Sequence, residues 1–114
     1  MKINDKTYAI AMRRGDSDSI SVQCTTDPYT TGDVITFTVR EDAEGEILLQ
    51  KVVDTFTAGV GVIAIEPADT ASIEFGDYVY DIQHTDAAGK VLTLVPPDPA
   101  SALPKFKLTE EATY

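Results

Sequence analysis

The chain has 114 residues, a net charge of −10 and a single cysteine. That length predicts one domain, which buries roughly two-thirds of its unfolded surface and needs neither a metal nor an internal disulfide. A uniformly acidic surface repels phosphate backbones and anionic lipids, so nucleic acid and membranes are excluded as expected partners. The sequence carries no signal-peptide pattern and no apolar run near the ~20 residues of a membrane span, which predicts synthesis in the cytoplasm.

The composition and the first elements favour strands. Valine, isoleucine and threonine together supply 33 residues, whereas leucine supplies 6, and β-branched side chains suit sheets better than helices. Residues 1–12 are interpreted as a lead-in with a short first strand at 8–12, and residues 13–114 as the main domain. A polar turn at 14–19 precedes an alternating strand at 20–24, and a loop follows at 25–33.

The clearest strand spans residues 34–40, where Ile35, Phe37 and Val39 are predicted to face inward and the residues between them outward. The turn at 41–45 predicts a hairpin with a partner strand at 46–53. The rest of the chain predicts strands at 62–66, 78–84, 90–95 and 105–109, a helical turn at 67–73 and a second hairpin turn at 86–89. Short strands separated by turns about every dozen residues predict an all-β fold, an antiparallel β-sandwich of seven to eight strands.

One segment resembles the tyrosine corner of immunoglobulin-like sandwiches, in which a tyrosine at the start of the sixth strand bonds back to the preceding turn. Tyr78 follows Gly76 and Asp77 and enters an alternating strand. Tyr80 occupies the place of the second cysteine of antibody domains. Because the tryptophan of the third strand is absent, the likeness is to the sandwich rather than to antibody domains.

A wider pattern carries a family resemblance. It consists of Gly15-Asp16-Ser17 before an alternating strand, followed by the segments 34–39, 76–83, 89–94 and 106–109. In this order they resemble the small immunoglobulin-like domains of bacteriophages and prophages of Firmicutes, above all the N-terminal domain type of baseplate upper proteins. The resemblance covers about residues 13–114 and rests on scaffold residues rather than on catalytic signatures.

The resemblance implies a non-enzymatic structural protein of a phage tail or baseplate, made in the bacterial host and associated with the virion. Baseplate upper proteins continue past this domain into receptor-facing regions that this sequence lacks, so we expect a role in assembly, as a homo-oligomer or with other virion subunits. Phe106, Leu108 and Tyr114 in the final segment are the expected partner contacts, because sheet edges offer unpaired hydrogen-bonding groups. The alternative is a host-surface or carbohydrate-binding module, for which Tyr29 and Tyr114 offer candidate exposed rings.

Several motifs suggest chemistry that their surroundings do not support. Arg14-Gly15-Asp16-Ser17 spells an integrin-binding tetrapeptide, but the glycine and aspartate already belong to the turn. His84 is the only histidine, so we expect a solvent-facing strand end rather than a zinc ligand or a general base oriented by Asp81 or Asp86. Cys24 alternates with inward residues and is predicted to be a small core residue.

Two acidic turns and one glycine pair complete the candidates. The segments 16–18 and 41–44 offer clustered oxygens for a calcium ion, but neither follows a calcium-loop pattern, and solvated turns are the simpler interpretation. The glycines at 59 and 61 lack the lysine and the following helix of a phosphate-binding loop. The sequence therefore predicts no catalytic site, no metal and no cofactor.

Overall fold

The computed structural model describes residues 8–23, 29, 32–42, 44–56, 59–96 and 103–109. Within these ranges the chain forms eight strands and one short helix. They are β1 (Ile10–Arg13), β2 (Asp18–Gln23), β3 (Val34–Arg40), β4 (Ile47–Val53), β5 (Val60–Ile65), α1 (Pro67–Thr70), β6 (Gly76–Thr85), β7 (Val91–Val95) and β8 (Lys105–Thr109). The predicted all-β sandwich is confirmed, and both predicted hairpins are present.

The strands form two sheets of unequal size. The larger sheet has the order β1-β8-β6-β3-β4, with β7 also paired to β6, and the smaller sheet consists of β2 and β5. Every described pair is antiparallel except β1 with β8, which is parallel. Because β1 belongs to the larger sheet, the sandwich includes part of the segment predicted as a lead-in with a short first strand.

Strand β6 organises the larger sheet. One of its edges pairs with β3, and its other edge pairs with β8 over its first residues and with β7 over its last. In immunoglobulin terms, β3 and β6 take the places of strands C and F, β7 and β8 share the place of strand G, and β4 takes that of C′. Strands β2 and β5 take the places of B and E. The topology is therefore that of an immunoglobulin-like sandwich.

The core lies between the two sheets. Phe37 at its centre contacts the Tyr80 ring at a centroid distance of 5.6 Å and the Phe106 ring at 6.1 Å. From the smaller sheet, Ile20 and Ile63 are neighbours in register and are both buried. Since inward positions alternate with outward ones along each strand, the period-two pattern of the sequence specifies which side chains form this core.

The short helix α1 lies in the connection from β5 of the smaller sheet to β6 of the larger sheet. Pro67 begins it, where the missing N–H of proline costs nothing. The Asp69 carboxylate accepts a hydrogen bond from the Glu66 N–H and also contacts the Lys51 ammonium of β4 at 3.0 Å. Thr70 is fully buried, and its hydroxyl accepts a hydrogen bond from the Gly15 N–H at 2.9 Å. In the described part of the chain, no helix has the length and apolarity to cross a membrane.

Candidate functional site

The outer face of the larger sheet, meaning the side turned away from the smaller sheet, is the broadest regular surface of the described chain. Strand register arranges its side chains in rows across β8, β6, β3 and β4. The first row is Lys105, Val79, Arg40 and Ile47. The second contains Asp81, Thr38 and Gln50, and the third contains Thr93 from β7, Gln83, Thr36 and Val52.

Apolar side chains are exposed on this outer face. Val52 is 61% exposed and Val91 is 56% exposed, although both lie within strands, and Ile47 at the end of β4 is 43% exposed. Single exposed apolar residues are common on soluble proteins. Val52 and Ile47 lie on β4 and Val91 lies on β7, so the polar outward residues of β3 and β6 separate them.

The middle row holds the most enclosed polar groups of the outer face. Thr38 was predicted to face outward, and it does, but it is only 6% exposed because Asp81 and Gln50 flank it in register. The Gln50 side-chain amide donates to the Thr38 hydroxyl at 3.2 Å. Burial raises the pKa of the Asp81 carboxyl, and the positive charge of Arg40 partly opposes that increase. The centre of the face is thus an ordered polar patch.

The charge of the outer face differs from that of the whole chain. Among its strand positions, the basic residues are Arg13, Arg40, Lys105 and Lys107, and the acidic residues are Asp77 and Asp81. Four positive against two negative charges leave this face slightly positive, whereas the chain carries −10. A second acidic molecule is therefore repelled less by this face than by the rest of the protein.

The tyrosine-corner residues lie at the start of β6. The Tyr78 hydroxyl donates to the Glu74 carbonyl oxygen at 2.6 Å, four residues upstream, which is the bond that defines such a corner. Gly76 and Asp77 begin the strand, and Asp77 is paired in register with Lys107. Tyr80, two residues on, is fully buried, and its hydroxyl donates to the Tyr8 carbonyl oxygen.

The residues expected to contact partners have different environments. Phe106 and Leu108 are each 1% exposed and fill the core, so their side chains contact this chain and are not available at its surface. Tyr114 lies outside the described residues. The outward residues of the same strand are Lys105 and Lys107, and both are exposed. The side chains that β8 offers to a partner are therefore charged.

The integrin-like tetrapeptide is held by contacts within the chain. The Arg14 guanidinium lies 4.2 Å from the centre of the Phe75 ring and donates to the Ile73 carbonyl oxygen at 3.4 Å. The Gly15 N–H is bound by Thr70. The structure therefore uses this segment to attach the β1–β2 turn to the connection between α1 and β6.

Two expectations for side chains near the end of β6 were wrong. His84 was predicted to face solvent, but its imidazole side chain is 20% exposed and its Nε2 contacts the Asp33 carboxylate at 3.0 Å. Tyr29 is not an exposed ring, since it is 7% exposed and contacts the rings of Phe56 and His84 at 5.3 and 5.1 Å. Tertiary packing covers both residues, and Tyr29 offers no face to a sugar.

The remaining candidates give no site in the described residues. Within those residues no group of three or more histidine, cysteine, aspartate or glutamate side chains is arranged to hold a metal ion. In each acidic turn one carboxylate bonds to a nearby backbone N–H: Asp42 accepts from the Glu44 N–H at 3.0 Å, and Asp18 accepts from the Ser19 N–H at 2.8 Å. Gly61 lies on β5 against Phe56. Cys24 lies outside the described residues.

The sequence predictions do not include the outer face as a site, although one feature of the sequence points to it. Gln50 and Val52 occupy alternate, outward positions of β4. A valine at a position where a polar residue is expected was the part of the signal that the sequence contained. What the sequence did not contain was the pairing order, which sets β8 and β4 on the same surface. The chain matches no protein-family model, and it has no match among curated proteins.

Proposed function

We propose that this chain is a non-enzymatic structural protein of a phage or prophage virion, of the tail or baseplate type, and that it acts through protein–protein contacts. The observation that carries this proposal is the outer face of the larger sheet, with its exposed Val52 and Val91, its ordered polar centre and its small positive charge. The virion setting comes from the sequence resemblance.

The first partner proposed for this face is a second copy of the chain. Two chains of charge −10 repel each other wherever acidic surfaces meet. The outer face carries no excess of acidic residues, so a contact there avoids the repulsion between acidic surfaces. A two-fold contact would place the same rows of both copies together, with Val52 and its neighbours excluded from water.

The test is light scattering on a size-exclusion column, from micromolar to near-millimolar loading. We expect a discrete oligomer that persists across the range and that Val52→Asp dissociates. Val62→Asp is the matched control, because Val62 is 49% exposed on the outward side of the smaller sheet and the substitution adds the same charge. A monomer throughout, or equal dissociation by both substitutions, would contradict a self-contact through this face.

A further inference from the structure

A second surface lies at one end of the sandwich, apart from the centre of the outer face. It is an open groove of about 470 Å³ between the β3–β4 hairpin and the connection from α1 to β6. Its acidic lining residues are Glu41, Glu46 and Glu74, and its apolar and aromatic lining includes Ile47, Ile73 and Tyr78. Clefts that bind small ligands have volumes of about 300–1,000 Å³.

The walls of the groove are held in place by hydrogen bonds. The Glu41 N–H donates to the Glu46 carbonyl oxygen at 3.1 Å, and the Gly45 N–H donates to the Asp42 carbonyl oxygen at 3.0 Å. At Gly45 a Cβ atom would lie 2.8 Å from the Asp42 nitrogen, so the turn requires glycine to close this tightly. The opposite wall is fixed by the bond from Tyr78 to Glu74. The groove is therefore preformed, which lowers the ordering cost of binding.

The groove brings apolar side chains and carboxylates together. Ile47 is 43% exposed and supplies most of the accessible apolar surface of the two, while Ile73 is 8% exposed. The three glutamates are exposed beside these isoleucines. Their field reaches the Tyr78 phenol: burial raises the pKa of Tyr78, and the charges of Glu74 and Glu41 raise it further.

An apolar surface beside carboxylates is the complement of a lysine or arginine side chain, which has an aliphatic stem and a cationic head. We propose that this groove binds an extended basic segment of a partner protein, with a lysine or arginine stem on Ile47 and Ile73 and its charge between the glutamates. Since the described residues bring together no metal-ligating cluster, a side-chain cation is the favoured occupant rather than a metal ion.

The experiment measures binding of a fluorescently labelled, capped peptide of alternating leucine and lysine by anisotropy, using the full chain. We expect saturable binding that weakens with added salt and that disappears when glutamate replaces the lysines of the peptide. Glu74→Gln should weaken binding about two- to fivefold, as expected for one exposed ion pair. This substitution leaves the backbone carbonyl that Tyr78 uses in place.

The matched control is Glu44→Gln, which removes the same charge from the β3–β4 hairpin beside the groove, at a residue that does not line it. We expect this variant to bind like the original chain. Equal weakening by both variants would show that the acidic chain attracts the peptide without a site and would overturn the proposal, as would absence of binding at low salt. Val52→Asp should leave peptide binding unchanged, so failure of the sheet-face contact and failure of the groove are distinguishable.

Discussion

The two faces of the larger sheet use the same strands for different purposes. On β3 the inward Phe37 is fully buried among aromatic and aliphatic side chains, while the outward Thr36 and Thr38 form part of a polar surface. On β4 the inward Leu49 is buried, while the outward Val52 is exposed. The alternation of a strand therefore separates residues that stabilise the fold from residues that are available to a partner, and adjacent positions should respond very differently to substitution.

The largest expected contrast between the faces is on β3. Phe37→Ala should lower the free energy of unfolding by about 3–5 kcal/mol, because it removes a fully buried ring and leaves a cavity beside Tyr80 and Phe106. Thr36→Ala, one residue earlier on the opposite face, should cost about 1 kcal/mol or less through strand propensity. Urea unfolding of both variants measures the difference, and similar losses would mean that the faces are not energetically distinct.

A smaller contrast concerns polar groups on the inward side of β6. Burial raises the pKa of the Tyr80 phenol far above its ordinary value, with a further contribution from Tyr8, so the hydroxyl stays a donor to the Tyr8 carbonyl. Tyr80→Phe should cost about 1–2 kcal/mol because the buried bond has no replacement. Tyr78→Phe should cost less, about 1 kcal/mol, since water can reach its site. Thermal unfolding of the two variants tests this order, and a larger loss at Tyr78 would reverse the interpretation.

The smallest effect is a pH dependence at the edge of the core, where the inward Lys51 of β4 meets Asp69. Burial raises the pKa of the Asp69 carboxyl, but the Glu66 N–H and the Lys51 ammonium outweigh it, and the pKa lies below its ordinary value. A lowered carboxyl pKa contributes stability above the unfolded value of about 4, and this contribution is lost as pH falls through the folded value.

Lys51→Met should therefore lower stability by about 1 kcal/mol or less at pH 7, and its stability should change less than that of the original chain below about pH 4. Denaturant unfolding at pH 7 and pH 3 measures both quantities. The control is Lys90→Met, which removes one positive charge at the exposed hairpin between β6 and β7. Parallel pH profiles for the original chain and Lys51→Met would contradict a stabilising role of the pair.

Much of the fold follows from local patterns. The alternation at 34–40 predicted β3 to the residue, and the turn at 86–89 predicted the hairpin between β6 and β7. Tyr29 and His84 show where this reasoning stops. Neighbouring residues predict exposure for both, whereas Asp33 contacts His84 from 51 positions away and the ring of Phe56 packs against Tyr29. Local patterns indicate which way a side chain points, but they do not indicate which residues from distant parts of the sequence pack against it.

The sequence alone determined the strands, their inward faces and the acidic balance of this protein, because each depends on neighbouring residues or on composition. Tertiary structure decided the rest. Pairing of β6 with both β3 and β8 brought Lys105 and Arg40 into one row, and the connection after α1 brought Glu74 opposite the hairpin that carries Glu41. Both candidate surfaces arise from segments distant in sequence, and only the packing of the core determines where those segments meet.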